Sequence, residues 1–135
     1  MYCFKNILLK LSNPGFINIQ IESEVLPCME YAYSGKENAI TASKLKEGLV
    51  CKLTGYGNSM TPKIKSGQSV IVVPVKEDTV LKKKDVVFVK VNGHYYLHMI
   101  SAINGKSYQI SNNHGHVNGT VGRNCIYGKM VEILS

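Results

Sequence analysis

Tryptophan is absent from this chain, arginine occurs once, at Arg123, and no apolar run is long enough to cross a bilayer. Each shortage excludes something. A spanning helix needs about 18 or more consecutive apolar residues. The opening stretch, MYCFKNILLKLSNPG, is broken by Lys10 and has no small-residue cleavage site behind it, so neither a membrane anchor nor a signal peptide is expected. A cytoplasmic location follows as an expectation. The cysteines are few and scattered: Cys3, Cys28, Cys51 and Cys125 form no CxxC pair. Zinc-site spacing is missing, and a chain with this much apolar content does not need a disulfide framework, so reduced and mostly buried thiols fit best. No cofactor-binding motif is present, and none is expected.

What is there suits one globular domain. The 135 residues are 44% apolar and 19% charged, and twelve glycines and four prolines point to many turns between short strands. The formal net charge is +7, from 16 basic against 9 acidic residues. Lys82-Lys83-Lys84 and the pair Lys63 and Lys65 could meet phosphates. With a single arginine, the residue best suited to bidentate phosphate and base recognition, a solvated basic face is the simpler account. Nucleic acid is therefore the lesser partner reading.

Along the chain, FKNILLKL (4–11) and FINIQIE (16–22) flank the turn signal SNPG, which reads as a hairpin, with a helix at 4–11 as the competitor. Residues 23–40 show no clear period and read as irregular. TASKLKEG (41–48) reads as a short helix with Thr41 as its cap and Gly48 as its stop. Strands are expected over LVCKLTGYG (49–57), SVIVVPV (69–75), 86–91, 94–103, KSYQIS (106–111) and IYGKMVEIL (126–134). Asn92-Gly93 between two β-rich runs is the strongest short hairpin signal. NNHGHVNGTVGRN, before the last strand, reads as a polar loop. The division expected is an N-terminal hairpin and irregular segment over 1–40 and a β domain over 41–135.

One stretch, GYGNSMTPKIKSGQSVIVVPV (55–75), places Ser59 between turn residues and a strand. Ser59 is either the cap of a short helix over 60–65 or a nucleophile whose base lies elsewhere. The order of segments bears on the choice. Gly57-Asn58-Ser59-Met60-Thr61-Pro62 is followed by the turn Gly67-Gln68, then by Lys83-Lys84-Asp85-Val86-Val87, and then by a return strand carrying His98. This series resembles the LexA-repressor and signal-peptidase superfamily of serine peptidases over roughly residues 41–134. There a Gly-x-Ser-Met-x-Pro segment, a Gly-Asp turn and a Lys-x-Gly-Asp-Val-Val turn come in the same order. Gln68 and Lys84 stand where that pattern has Asp and Gly.

The resemblance implies a mainly β, small twisted antiparallel domain with one or two short helices, and a serine peptidase site with Ser59 as nucleophile. His98 stands where the usual lysine base does, as in the signal peptidase of the endoplasmic reticulum; Lys90 is a weaker alternate. Neutral imidazole can take a serine proton at neutral pH without the desolvation that a catalytic lysine requires. The resemblance also implies that the strand at 49–55 lines the substrate groove and pairs a peptide as an added strand. The Ser59 N–H is a candidate oxyanion donor, with Asn58 or a nearby amide as the second. Residues 111–119 hold no carboxylate to orient His98, which leaves Asn112 or Asn118 for that task. On a strand beside Met99 and Ile100, His98 is equally readable as a structural histidine. His94, His114 and His116 have no diagnostic metal spacing.

Compact free-standing domains of this kind are similar to ones carried by phages and mobile elements. The residues ahead of the match read as too few and too strand-like for the helix-turn-helix of LexA-type proteins, and Ala32-Tyr33-Ser34-Gly35 is the one small-x-small sequence before a self-cleavage point. Two functions stand. One is a soluble peptidase that cuts itself or an extended segment of a protein partner with a Ser-His dyad. The other is an inactive binding module that uses the same groove for a peptide, a protein or an anionic ligand.

Overall fold

The computed structural model describes residues 5–13, 16–26 and 35–134, with the first two ranges and residues 35–37 as backbone only. The chain is mainly β, as its strand patterns predict. The strands are β1 (Lys5–Asn13), β2 (Phe16–Leu26), β3 (Val50–Thr54), β4 (Ser69–Pro74), β5 (Val86–Val91), β6 (His94–Asn104), β7 (Ser107–Ser111), β8 (Val117–Gly122) and β9 (Ile126–Ile133). A single helix, α1 (Gly35–Lys46), and one 3-10 turn (Arg123–Cys125) complete the described elements. All strand pairs are antiparallel, in the order β2-β1-β3-β4-β9-β5-β6-β7-β8. The last strand is thus threaded between β4 and β5, and it joins the two halves of the sheet. No described helix is long and apolar enough to cross a membrane.

Local chemistry accounts for the hairpins. Asn92 and Gly93 both have positive φ, 49° and 82°, as a two-residue turn matched to strand twist requires. The β5–β6 register then runs from Val91↔His94 to Val86↔Met99 and sets His98 opposite Val87. β5 is buried on both faces over Val86–Val89, which is why it opens with the apolar run Val-Val-Phe-Val before Lys90. Val86 and Phe88 join one core with Leu53, Met60, Val72 and Leu97, while Val87, Val89 and Val91 join a second with Ile100, Ile110 and Ile126. At the mouth of β5, Lys84 stands at φ 77°, where the superfamily pattern has glycine; a side chain costs about 1–2 kcal/mol in this region.

Several expectations need correction. The helix begins at Gly35, inside the stretch read as irregular, and Thr41 lies buried in its middle instead of capping it. The buried stripe is Asn38, Thr41, Ala42 and Leu45, at helical spacing; two of its four members are polar, so the apolar period that marks a helix start is faint. The stop at Gly48 is as read: Gly48 (φ 91°) donates to the Leu45 carbonyl and Leu49 to Lys44, a Schellman end. Residues 117–122, read as loop, form the edge strand β8, whose Val-Asn-Gly-Thr-Val-Gly sequence has weak strand propensity and takes its form from pairing with β7. The segment 5–13 is a strand and not the competing helix. β3 has no open edge for a peptide, because it pairs with β4 on one side and with β1 on the other, from Lys5↔Thr54 to Leu9↔Val50.

Of the cysteines, Cys51 is fully buried and Cys125 half-buried, both free. Burial pushes the Cys51 thiol up to about 12, so it stays protonated and inert. Cys3, Cys28 and residues 32–34 of the small-x-small sequence lie outside the described residues.

Helix α1 approaches the sheet over Gly128. A β-carbon there would stand 2.3 Å from Val72 Cγ1 and 2.9 Å from Leu45 Cδ1. Gly128→Ala is therefore expected to lower unfolding free energy by about 1–3 kcal/mol, as overpacking does. A denaturant titration against the parent chain reads it directly.

Candidate active site

The segment after Ser59 is a series of turns and not the expected helix. Thr61 N–H donates to the Asn58 carbonyl and Ile64 N–H to Met60, but the Lys65 N–H is captured by the Gln68 side chain at 3.0 Å. Gly67 (φ 82°) then donates to the Gly55 carbonyl and draws the chain back toward β4. Pro62 follows a cis peptide bond and has no N–H to offer a helix. The turn is held from below by Met60 and Ile64, both buried in the core. Gln68 accepts a backbone N–H here, a task the usual aspartate could also perform.

Ser59 is half-buried, and its Oγ lies 3.1 Å from His98 Nε2. The other ring nitrogen, Nδ1, lies 2.7 Å from Asn118 Oδ1. An amide oxygen only accepts, so Nδ1 carries the proton and donates it. Nε2 is then left as the lone-pair nitrogen facing the serine hydroxyl. Tyr96, two residues earlier on β6, stacks on the imidazole with ring centres 4.8 Å apart. His98 is only 4% exposed. Burial pushes its pKa below the ordinary ~6.5, and the Asn118 hydrogen bond opposes that shift.

Of the two asparagines left open by the sequence, Asn118 touches the imidazole. Asn112 organises the loop instead: its Oδ1 accepts the His114 and His116 N–H groups, both at 2.9 Å. That loop grips the serine turn. Asn113 N–H donates to the Ser59 carbonyl at 2.9 Å, and its Nδ2 donates to the Thr61 carbonyl at 2.9 Å. His114 Nε2 donates to the Asn58 carbonyl at 2.9 Å and lies 3.2 Å from Thr61 Oγ1. Reading the sequence missed Asn113 and His114 as partners of the serine turn; the polar density of NNHGH was the signal, but a loop's partners are not encoded in its spacing.

The alternate base, Lys90, sits on β5 with its Nζ over the Tyr95 ring, 5.2 Å from the centroid. His94 lies on the outer end of β6, tilted against Tyr96. Asn58 is exposed at the turn and engages its neighbours through its carbonyl. Among the described residues, neither the Ser59 nor the Met60 N–H has a protein acceptor.

Comparison with known proteins adds one finding. The family described as Peptidase S24-like has a model that matches residues 16–131. No curated protein and no solved structure matches the chain.

An unfolded chain binds a proton on His98 before the folded chain does, because the folded value is the lower. Stability contributed by the neutral buried imidazole is thus present above ~6.5 and declines as pH falls below it. A proton NMR titration is expected to show the His98 ring signals moving with a midpoint below ~6.5. A midpoint at or above that value would contradict the burial argument.

Proposed function

The chain belongs to the Peptidase S24-like family, and on that premise we propose that it is a serine peptidase in which Ser59 is the nucleophile and His98 its general base. The observation that carries the reading is the 3.1 Å approach of Ser59 Oγ to the unprotonated His98 nitrogen. In this scheme His98 takes the hydroxyl proton as Oγ attacks a peptide carbonyl, and then gives it to the leaving amine. The acyl group on Ser59 is released by water activated in the same way. The unpartnered Ser59 and Met60 N–H groups supply candidate donors for the oxyanion.

Asn118 sets the rate expected. It holds the correct tautomer, but being neutral it adds little to the stability of the imidazolium that forms during transfer. Slow chemistry suits a cleavage performed once, and a cut in the chain itself is the simplest such event. The pairing of β1 along β3 supports this, since a segment of the same chain lies on the strand that leads into the Ser59 turn. The competing reading is a peptidase-fold module that binds without cutting. The amide in place of a carboxylate beside His98 favours it.

The test is intact mass against time for the purified chain, beside Ser59→Ala and His98→Ala. Processing ahead of residue 45 is expected in the parent chain and at least ~100-fold slower in both variants. A parent chain that stays whole, and cuts no peptide in trans, would leave the binding module. Asn118→Asp is expected to speed cleavage and to move its acid limb upward in pH, because a carboxylate favours the imidazolium. Unchanged rate and limb would remove Asn118 from the scheme.

A further inference from the structure

Four exposed lysines collect on two turns tied to the elements that carry Ser59 and His98. Lys63 follows Ser59 by four positions in the same turn, is exposed, and donates from Nζ to the Lys84 carbonyl at 3.4 Å. The Lys82–Asp85 turn is in turn tied to β6. Lys84 N–H donates to the Ile100 carbonyl at 2.7 Å and Ile100 N–H to Asp85 at 2.8 Å, two residues along the strand from His98. Lys82, Lys83 and Lys84 are all exposed. The one acid in this turn is already engaged: Asp85 Oδ2 accepts the Lys82 N–H at 2.7 Å and lies 3.4 Å from Lys129 Nζ. Among the described residues, none of the four lysines has a carboxylate within ion-pair distance. The Lys63–Lys84 hydrogen bond joins the serine turn to the lysine turn, so the positive charge is gathered on the elements that carry Ser59 and His98.

We infer that Lys63, Lys82, Lys83 and Lys84 form a cationic rim that selects an extended acidic polypeptide for the Ser59–His98 site, of the kind this chain carries at residues 22–30. The inference rests on the peptidase reading above. Polypeptide is favoured over nucleic acid by the chemistry of the neighbours. A serine hydroxyl beside a neutral imidazole acts on acyl groups. The sole arginine is committed elsewhere, its Nη2 donating to the carbonyls of Lys76 and Thr79. The chain also contains a complement to the rim. No Lys or Arg occurs between Lys10 and Lys36, and this interval holds Glu22, Glu24 and Glu30, three of the nine acidic residues.

The test reads binding apart from chemistry by using the Ser59→Ala chain. Its ligand is a fluorescein-labelled peptide with the sequence of residues 20–34 and Cys28 replaced by serine. A second peptide carries Glu22→Gln, Glu24→Gln and Glu30→Gln, and a duplex DNA oligonucleotide is the third probe. Exposed ion pairs are individually weak, so three of them are expected to make the acidic peptide bind about tenfold more tightly than its amide version. That preference should shrink with added salt. It should vanish in a Lys63→Gln, Lys83→Gln, Lys84→Gln variant whose thermal melt matches the parent. Equal binding of the two peptides, binding of neither, or tighter binding of the DNA overturns the inference. Acid-selective binding by a chain that never cuts would overturn the peptidase reading alone; cutting with no preference for acidic peptides would overturn the rim alone.

Discussion

Ser59 belongs to a turn whose own hydrogen bonds are supplemented by others from residues more than fifty positions away. The carbonyls of Asn58, Ser59 and Thr61 are taken by the His114 ring, the Asn113 amide and the Asn113 side chain. Underneath, Met60 is fully buried in the core. A turn tied above by hydrogen bonds and below by an apolar anchor has little freedom to swing its serine away from His98. The residues that follow Ser59 therefore have distinct tasks: Met60 anchors, Thr61 closes the turn, and Pro62 offers no N–H that would draw the segment into a helix.

The proposed base, His98, is held by opposing influences. Burial among β5, β6 and β8 favours the neutral imidazole, and Tyr96 covers one side of the ring. Asn118 fixes the proton on Nδ1 and leaves Nε2 facing the serine. This combination suits abstraction of a proton at neutral pH. It gives little help to the cation that results, because the Asn118 amide that meets Nδ1 is neutral. On the proposed peptidase reading, such a site suits single-event processing better than rapid turnover.

Sheet topology brings these parts together. β9 runs between β4 and β5, so the strand that leaves the serine turn and the strand that enters the β5–β6 hairpin are fastened by the end of the chain. The absence of a side chain at Gly128 lets α1 and Val72 meet over β9. On the far side of the serine turn, β1 fills the edge of β3, where an added peptide strand was expected. On the proposed reading, a substrate in trans would have to reach Ser59 by another edge or displace β1.

Much of this was legible in the order of residues, for reasons that are local. Asn92-Gly93 specifies its turn through the φ angles it tolerates, β5 announces its two buried faces by the apolar run Val86–Val89, and Ser59 and His98 stand in a series of segments that resembles one superfamily. What the sequence by itself determined is the mainly β character, most strand positions and the pair of residues worth examining. The start of α1 was hidden because Asn38 and Thr41 occupy its buried stripe, and β8 because its glycines carry no strand signal. Only the tertiary structure decided that Asn118 and not Asn112 meets His98, that Asn113 and His114 clamp the serine turn, and that β3 has no free edge. Those outcomes depend on pairings between segments far apart in the chain, and a hydrogen bond across such a distance is set by how the sheet is assembled, which no local pattern records.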